Sequence, residues 1–209
     1  YIETSDLSKN LDAILELALY NGKMPKYGDE LLTVETGDVK NFATYQELEE
    51  AFVAQERYLL KQALRQQYVA NRTRPKHFAS PLGSSLHALC MKDCKDLHSE
   101  KIEGGFDAGF FDFIGFGTVA DSLAAIKKCV YEDKTVTWDE LLDALNNNFE
   151  GAEVIRQRLL NAPKYGNDDE YVDSIAKRID GEAVKFVNQY AKNIGIYMDL
   201  RYVSQSVNV

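Results

Sequence analysis

The chain is short of the residues that cross-link or anchor a protein. Its three cysteines, Cys90, Cys94 and Cys129, cannot all pair with one another, so a disulfide framework is excluded and a reducing, cytoplasmic setting is the natural reading. Asn71-Arg72-Thr73 matches a glycosylation sequon, yet nothing else points to secretion. No apolar run approaches the roughly 18 residues that a membrane span needs, and the first residues lack a basic stretch ahead of an apolar one. Positive charge is in deficit: 24 Lys and Arg against 33 Asp and Glu leave a net charge of -9, which argues against nucleic acid or an anionic membrane as partner. No internal repeat or low-complexity tract is present. What the chain does have is apolar material, 45% hydrophobic and 11% aromatic over 209 residues, enough to bury a core.

Periodicity reads as helices separated by short strands and glycine turns. Leu11, Ile14, Leu15 and Ala18 fall at i, i+3, i+4 and i+7, with Ser5 or Asp6 available as cap and Gly22 as the left-handed stop. The turn-rich stretch after Gly22 suggests a short strand at Leu31–Val34. Thr44 and Glu47 form a capping box, opening a long helix to about Ala70 that carries Leu48, Phe52, Leu59, Ala63 and Leu64, and Arg74-Pro75 closes the segment behind it. A shorter helix is expected around Ser84–Met91. Phe110–Phe116 reads as a strand buried on both faces, succeeded by a helix from Thr118 or Asp121. Thr137 and Glu140 form a second capping box. Val154–Leu160, Glu170–Ile179 and Gly181–Ile194 read as helices, and Tyr202–Val209 as a final strand. The pattern alone supports an α/β fold.

Local clusters offer chemistry, each with a plainer reading. On a continuous helix His87, Cys90, Cys94 and His98 would share one face as a zinc set, but Asp93 and Asp96 favour fraying and a buried thiol usually packs as a small hydrophobe. Gly115-Phe116-Gly117 lacks the third glycine of a phosphate-binding turn and instead suits close packing of strand on helix. Asp168, Asp169, Glu170 and Asp173 lack the alternating spacing of a calcium loop and suit the first turn of a helix. Asp112, an acid between Phe111 and Phe113 in a buried strand, requires a partner or a raised pKa.

Two phrases are too particular for periodicity to explain. One runs Leu159-Leu160-Asn161-Ala162-Pro163-Lys164-Tyr165-Gly166-Asn167-Asp168-Asp169-Glu170-Tyr171-Val172-Asp173. The other runs Val119-Ala120-Asp121-Ser122-Leu123-Ala124-Ala125-Ile126-Lys127-Lys128 and leads to Asn148-Phe149-Glu150-Gly151. Both resemble hallmarks of the glycyl radical enzymes of the pyruvate formate-lyase and diol dehydratase type. Weaker agreement from Tyr20-Asn21-Gly22 through Thr36-Gly37-Asp38 and Phe42 to Val203–Val209 extends the resemblance over nearly the whole chain.

The resemblance implies a fold, a chemistry and partners. The fold is a helix-rich segment of a ten-stranded α/β barrel, with residues 1–209 forming a single partial domain from the middle of that barrel. The chemistry is that of an oxygen-sensitive lyase: a radical stored on a glycine passes to a cysteine, whose thiyl takes hydrogen from a small substrate. An activating enzyme that uses S-adenosylmethionine and an iron–sulfur cluster installs the glycyl radical. Homodimers are common among such enzymes, and some are packaged in bacterial microcompartments. Neither a Gly-Cys-x-Glu loop nor an Arg-Val-x-Gly-aromatic loop occurs in this sequence, so the radical residues belong outside the segment.

The same resemblance implies candidate site residues. Counting back from Ala120-Asp121-Ser122, Asp112 looks equivalent to a carboxylate that contacts substrate in the arylacetate decarboxylase branch, with Phe111 and Phe113 beside it and Glu103 and Asp107 weaker on the same stretch. Ile2-Glu3-Thr4-Ser5 is similar to the residues just after the radical cysteine in some members, where the glutamate is the base. Tyr1 stands in the cysteine's place and the spacing to Tyr20-Asn21-Gly22 is short, which favours coincidence over missing residues. After Glu103-Gly104-Gly105 the chain is phenylalanine-rich where the dehydratase branch is polar, which counts against glycerol or propanediol. An eliminating lyase acting on a C–S, C–N or C–O bond, or an arylacetate decarboxylase, fits instead. The alternative is a non-catalytic helical interaction module with a structural zinc on the His87–His98 face.

Overall fold

The computed structural model describes residues 3–98 and 108–202, which fall into two compact units. A helical unit comprises Asn10–Tyr58 and Gly115–Ala183; a sheet unit comprises Tyr1–Lys9, Leu59–Ile114 and Val184–Val209.

In the helical unit α1 (Leu11–Leu19) is capped by Asn10, whose side chain accepts the Asp12 N–H at 2.9 Å. The expected caps Ser5 and Asp6 lie instead in the strand β1 (Glu3–Asn10). The apolar stripe Leu11, Ile14, Leu15 and Ala18 is buried. Gly22 ends the turn at φ +81°, and a Cβ there would stand 2.4 Å from the Val34 carbonyl oxygen, so only glycine lets the chain pass. Residues 31–34 form no strand: the Leu32 and Thr33 N–H groups both donate to the Gly22 carbonyl, at 2.9 and 3.2 Å. Thr33 Oγ1 donates to Gln55 Oε1 at 2.5 Å, and Gln55 Nε2 donates to the Val34 carbonyl at 2.7 Å.

The Thr44–Glu47 capping box opens α2 (Tyr45–His77), which runs past the expected end through Pro75. The proline sits in the last turn, where its missing N–H removes only one bond and the helix still closes with Phe78 N–H to the Arg74 carbonyl at 2.9 Å. Leu48, Phe52, Ala63 and Leu64 are buried as expected, and Leu60 rather than Leu59 completes the stripe.

Helix α5 (Phe116–Ile126) continues into one π-helical turn, Lys127–Glu132, with an aromatic cluster around it. Lys127 Nζ lies 4.3 Å from the Tyr171 ring centroid and 5.5 Å from that of Tyr45, while Tyr131 packs edge-on against Tyr45 and Trp138. α6 (Trp138–Asn146) begins with the Thr137–Glu140 capping box, and α7 (Glu153–Leu160) comes next.

The sheet unit holds α3 (Pro81–Ser85), α4 (Ala88–Asp93) and a sheet ordered β1-β2-β3, with β2 (Ala108–Ile114) central and parallel to β3 (Tyr197–Tyr202). The last strand thus ends where the sequence suggested it would begin; residues 203–209 lie outside the described residues. α8 (Glu170–Ile194) is one helix rather than two. Val172, Ile175, Ala176, Ile179, Ala183 and Val187 form an unbroken buried stripe, which outweighs the roughly 1 kcal/mol that Gly181 costs inside a helix.

Candidate functional site

Parallel pairing of β2 and β3 sets Asp112 opposite Arg201 and Phe113 opposite Tyr202. Arg201 Nε donates to Asp112 Oδ1 at 2.9 Å and its Nη2 to Oδ2 at 3.3 Å, a bidentate, charge-assisted pair. The partner that a buried acid requires is therefore an arginine from a strand far along the chain. The Asp112 side chain is 11% exposed and that of Arg201 34%, so the guanidinium is the more accessible half.

Strand alternation divides the predicted site residues. Phe111 and Phe113 stack on each other at 6.4 Å, and Phe113 meets Tyr202 at 5.7 Å. Both phenylalanines are fully buried, on the face opposite Asp112. They cannot line the same pocket wall as the acid. Glu3 is the first residue of β1. Glu103 and Asp107 lie outside the described residues. Sequence reasoning did not find Arg201, though the one basic residue of Tyr197–Tyr202, which also holds Asp199, set against the one acid of Ala108–Ile114 is a signal that points to the pair.

The other clusters resolve into structure. α4 ends at Asp93 with Cys94 in the left-handed conformation, so His87, Cys90, Cys94 and His98 do not share a helical face, and among the described residues no group of three or more His, Cys, Asp or Glu is placed to hold a metal. Gly115 precedes α5 at φ +85°, where a Cβ would lie 2.6 Å from Asp12 Oδ2. That close approach of α1 to the start of α5 explains the glycine. Asp169 Oδ1 accepts the Tyr171 N–H at 2.9 Å at the opening of α8, and Glu170 and Asp173 sit in its first turn. Among the described residues no helix is long and apolar enough to cross a membrane.

The two signature phrases interlock. Asp121 Oδ1 accepts the Tyr165 N–H at 2.6 Å, and the Phe116 and Tyr165 rings meet edge to face at 5.6 Å. Lys164 Nζ donates to the carbonyls of Leu159 at 3.1 Å and Ala162 at 2.8 Å, satisfying groups left open where α7 ends. Gly166 at φ +88° and Asp168 at φ +56° complete the turn into α8. Between the phrases lies an apolar cleft of about 350 Å³ walled by Leu15, Leu141 and Leu159, with Asp121 and Lys164 at its rim. Asp121 Oδ1 and Lys164 Nζ each serve backbone groups of the second phrase, which ties the two phrases together.

Known proteins share this sequence and fold. The family described as pyruvate formate lyase-like matches residues 5–209. The chain is 53% identical to an isethionate sulfite-lyase of Bilophila wadsworthia over 93% of its own length and 23% of that protein's. Among solved structures it resembles the hydroxyproline dehydratase of Clostridioides difficile with trans-4-hydroxy-L-proline bound, at TM-score 0.82 and 34% identity over 94% of this chain and 25% of that one. It also resembles a glycyl radical enzyme from Archaeoglobus fulgidus, at TM-score 0.73 and 26% identity over 92% and 24% of the two chains. The chain spans about a quarter of the length of the relatives it matches. Its helices and small parallel sheet are a segment of the glycyl radical enzyme α/β barrel, and the chain belongs to the pyruvate formate lyase-like family.

Proposed function

We propose that residues 1–209 are a single partial domain from the middle of a longer glycyl radical lyase, one that cleaves the carbon–sulfur bond of a small hydroxysulfonate and releases sulfite. The observation that carries this reading is the 53% identity to isethionate sulfite-lyase over 93% of the chain, against 39% to trans-4-hydroxy-L-proline dehydratase over 81% of it. The lyase would be a homodimer of the bacterial cytoplasm or a microcompartment, dependent on an activating enzyme that uses S-adenosylmethionine and an iron–sulfur cluster.

The sequence has neither of the loops that carry the radical, so its residues do not hold that group. Once installed elsewhere in the protein, the group supplies hydrogen-atom abstraction from substrate. This segment's part is binding and orientation. A sulfonate carries a full negative charge, and the guanidinium that β3 sets beside β2 matches it. We assign Arg201 to the substrate anion and Asp112 to orienting Arg201, with the shorter of the pair's two hydrogen bonds fixing Nε. Glu103, outside the described residues, keeps the substrate-binding role that the family resemblance implies. Phe111 and Phe113 support the strand from its other face.

The complete enzyme, activated without oxygen, is expected to release sulfite from isethionate. Preference for propanediol or trans-4-hydroxy-L-proline would overturn the substrate assignment. Asp112→Asn should lower turnover while leaving the glycyl radical signal intact, and Arg201→Gln should raise KM for the sulfonate. Unchanged kinetics in both variants would remove the pair from the site.

A further inference from the structure

Ile114 shares a face with the Asp112–Arg201 pair. Residues two apart on a strand point the same way, so Ile114 stands on the side of Asp112, opposite the buried Phe111 and Phe113. It is the last residue of β2 and is part-exposed; Gly115, at φ +85°, turns the chain behind it into α5. Ile114 therefore marks the carboxyl end of the central strand, the end at which parallel α/β sheets and barrels hold their ligands. Parallel pairing sets Arg201 level with Asp112, just short of that end.

Spacing along the strand turns that placement into a length. Alternate residues of a parallel strand are about 6.6 Å apart, at about 3.3 Å per residue. In a two-carbon hydroxysulfonate the alcohol carbon lies about 3 Å from the sulfur, at about 1.5 Å or slightly more per bond. With the sulfonate on the Arg201 guanidinium and the carbons directed to the carboxyl end, about 4 Å remains to the level of Ile114, which is van der Waals contact. A further carbon at that point has no room. The spacing is set by the backbone, so it holds wherever the rest of a longer chain closes the site.

We propose that Ile114 is the residue that sets substrate length, packing on the alcohol carbon and excluding a third carbon there; this rests on the assignment of the substrate anion to Arg201. A β-branched side chain suits a fixed stop, because its χ1 is restricted. Contacts of this kind separate substrates that differ by one methyl or methylene group by about 10- to 200-fold. Ile114 has no group that titrates, so its role is selection, and hydrogen transfer stays with the radical.

The test is sulfite release by the complete enzyme, activated without oxygen, from isethionate and from its homologue with a methyl group added on the alcohol carbon. The parent should favour isethionate by at least about tenfold in kcat/KM. Ile114→Ala should move that ratio at least about tenfold toward the homologue, and Ile114→Val should move it the same way by less. Both variants should keep the glycyl radical signal of the parent, which reports folding and activation; Ile114→Val, one methyl smaller, carries the test if Ile114→Ala loses that signal. A parent that uses both substrates equally would overturn the proposal, as would variants that slow on both substrates in proportion and leave the ratio where it was. Either result leaves the sulfonate reading standing. A parent that releases no sulfite from either substrate would overturn that reading, and the role of Ile114 with it.

Discussion

Glu56 gives the sharpest quantitative prediction. It lies on the buried face of α2, 2% exposed, and its Oε2 has no hydrogen-bond partner. Burial pushes its carboxyl from 4.5 up to about 8; Arg57 pulls it down, while Asp180 and Glu182 on α8 push it up. Below the unfolded pKa of 4.5 the acid is neutral in both states. Between 4.5 and about 8 the unfolded chain ionises while the native chain keeps its proton, so stability falls as pH rises and the loss is complete once pH has passed the folded pKa. The rise from 4.5 to about 8, at about 1.36 kcal/mol for each pH unit, sets the total at about 5 kcal/mol as an upper figure. Glu56→Gln keeps the shape and removes the titration. Urea unfolding of the two proteins from pH 5 to pH 9 should show similar stability at the acid end. The variant should gain over the parent by about 2–4 kcal/mol at the alkaline end, or several degrees in Tm. Parallel stability curves would mean that Glu56 reaches water or a donor in the native chain, and the reasoning from its burial would fail.

Other substitutions probe the signature phrases and the turns around them. Gly115→Ala combines a positive φ with a Cβ 2.6 Å from Asp12 Oδ2 and should cost about 2 kcal/mol or more in urea unfolding; a cost near zero would mean that α1 yields easily. Asp121→Ala removes the acceptor of the Tyr165 N–H and should cost about 1–3 kcal/mol, because a backbone donor in the signature turn loses its partner. Tyr131 has its phenol pushed up to about 12, mainly by burial, so spectrophotometric titration of the folded chain should find it un-ionised at pH 11, where an exposed tyrosine has lost its proton.

What could be read from the sequence was whatever a few neighbouring residues decide. The capping boxes at Thr44 and Thr137 and the stripe of α1 depend on local chemistry and stand as expected; the apolar strand is there too, but at Ala108–Ile114 and not Phe110–Phe116, because Gly115 and Phe116 open α5. Where distant contacts decide, the local signals misled. Gly181 and Pro75 suggested helix ends, yet the buried stripe of α8 and the terminal position of Pro75 carry both helices through. Leu31–Val34 has strand-like composition, but its backbone is taken up by the Gly22 carbonyl at Leu32 and Thr33 and by Gln55 from α2 at Val34. The π-helical turn after Ile126 has no sequence pattern of its own; it lies beside the Lys127, Tyr45 and Tyr171 cluster, residues far apart in the chain. At the candidate site the need of Asp112 for a partner was legible, whereas the partner's identity depended on a register between strands nearly ninety residues apart. Period-two alternation alone would have separated Phe111 and Phe113 from Asp112, and the grouping of all three overlooked it.

The central claim, that this chain is the middle of a radical lyase, is tested most directly by reading the coding sequence on both sides of it. A Gly-Cys-x-Glu loop at or before Tyr1 and an Arg-Val-x-Gly-aromatic loop well beyond Val209 are the predicted result. Stop codons at both ends would contradict it, leaving a helical protein without its radical residues.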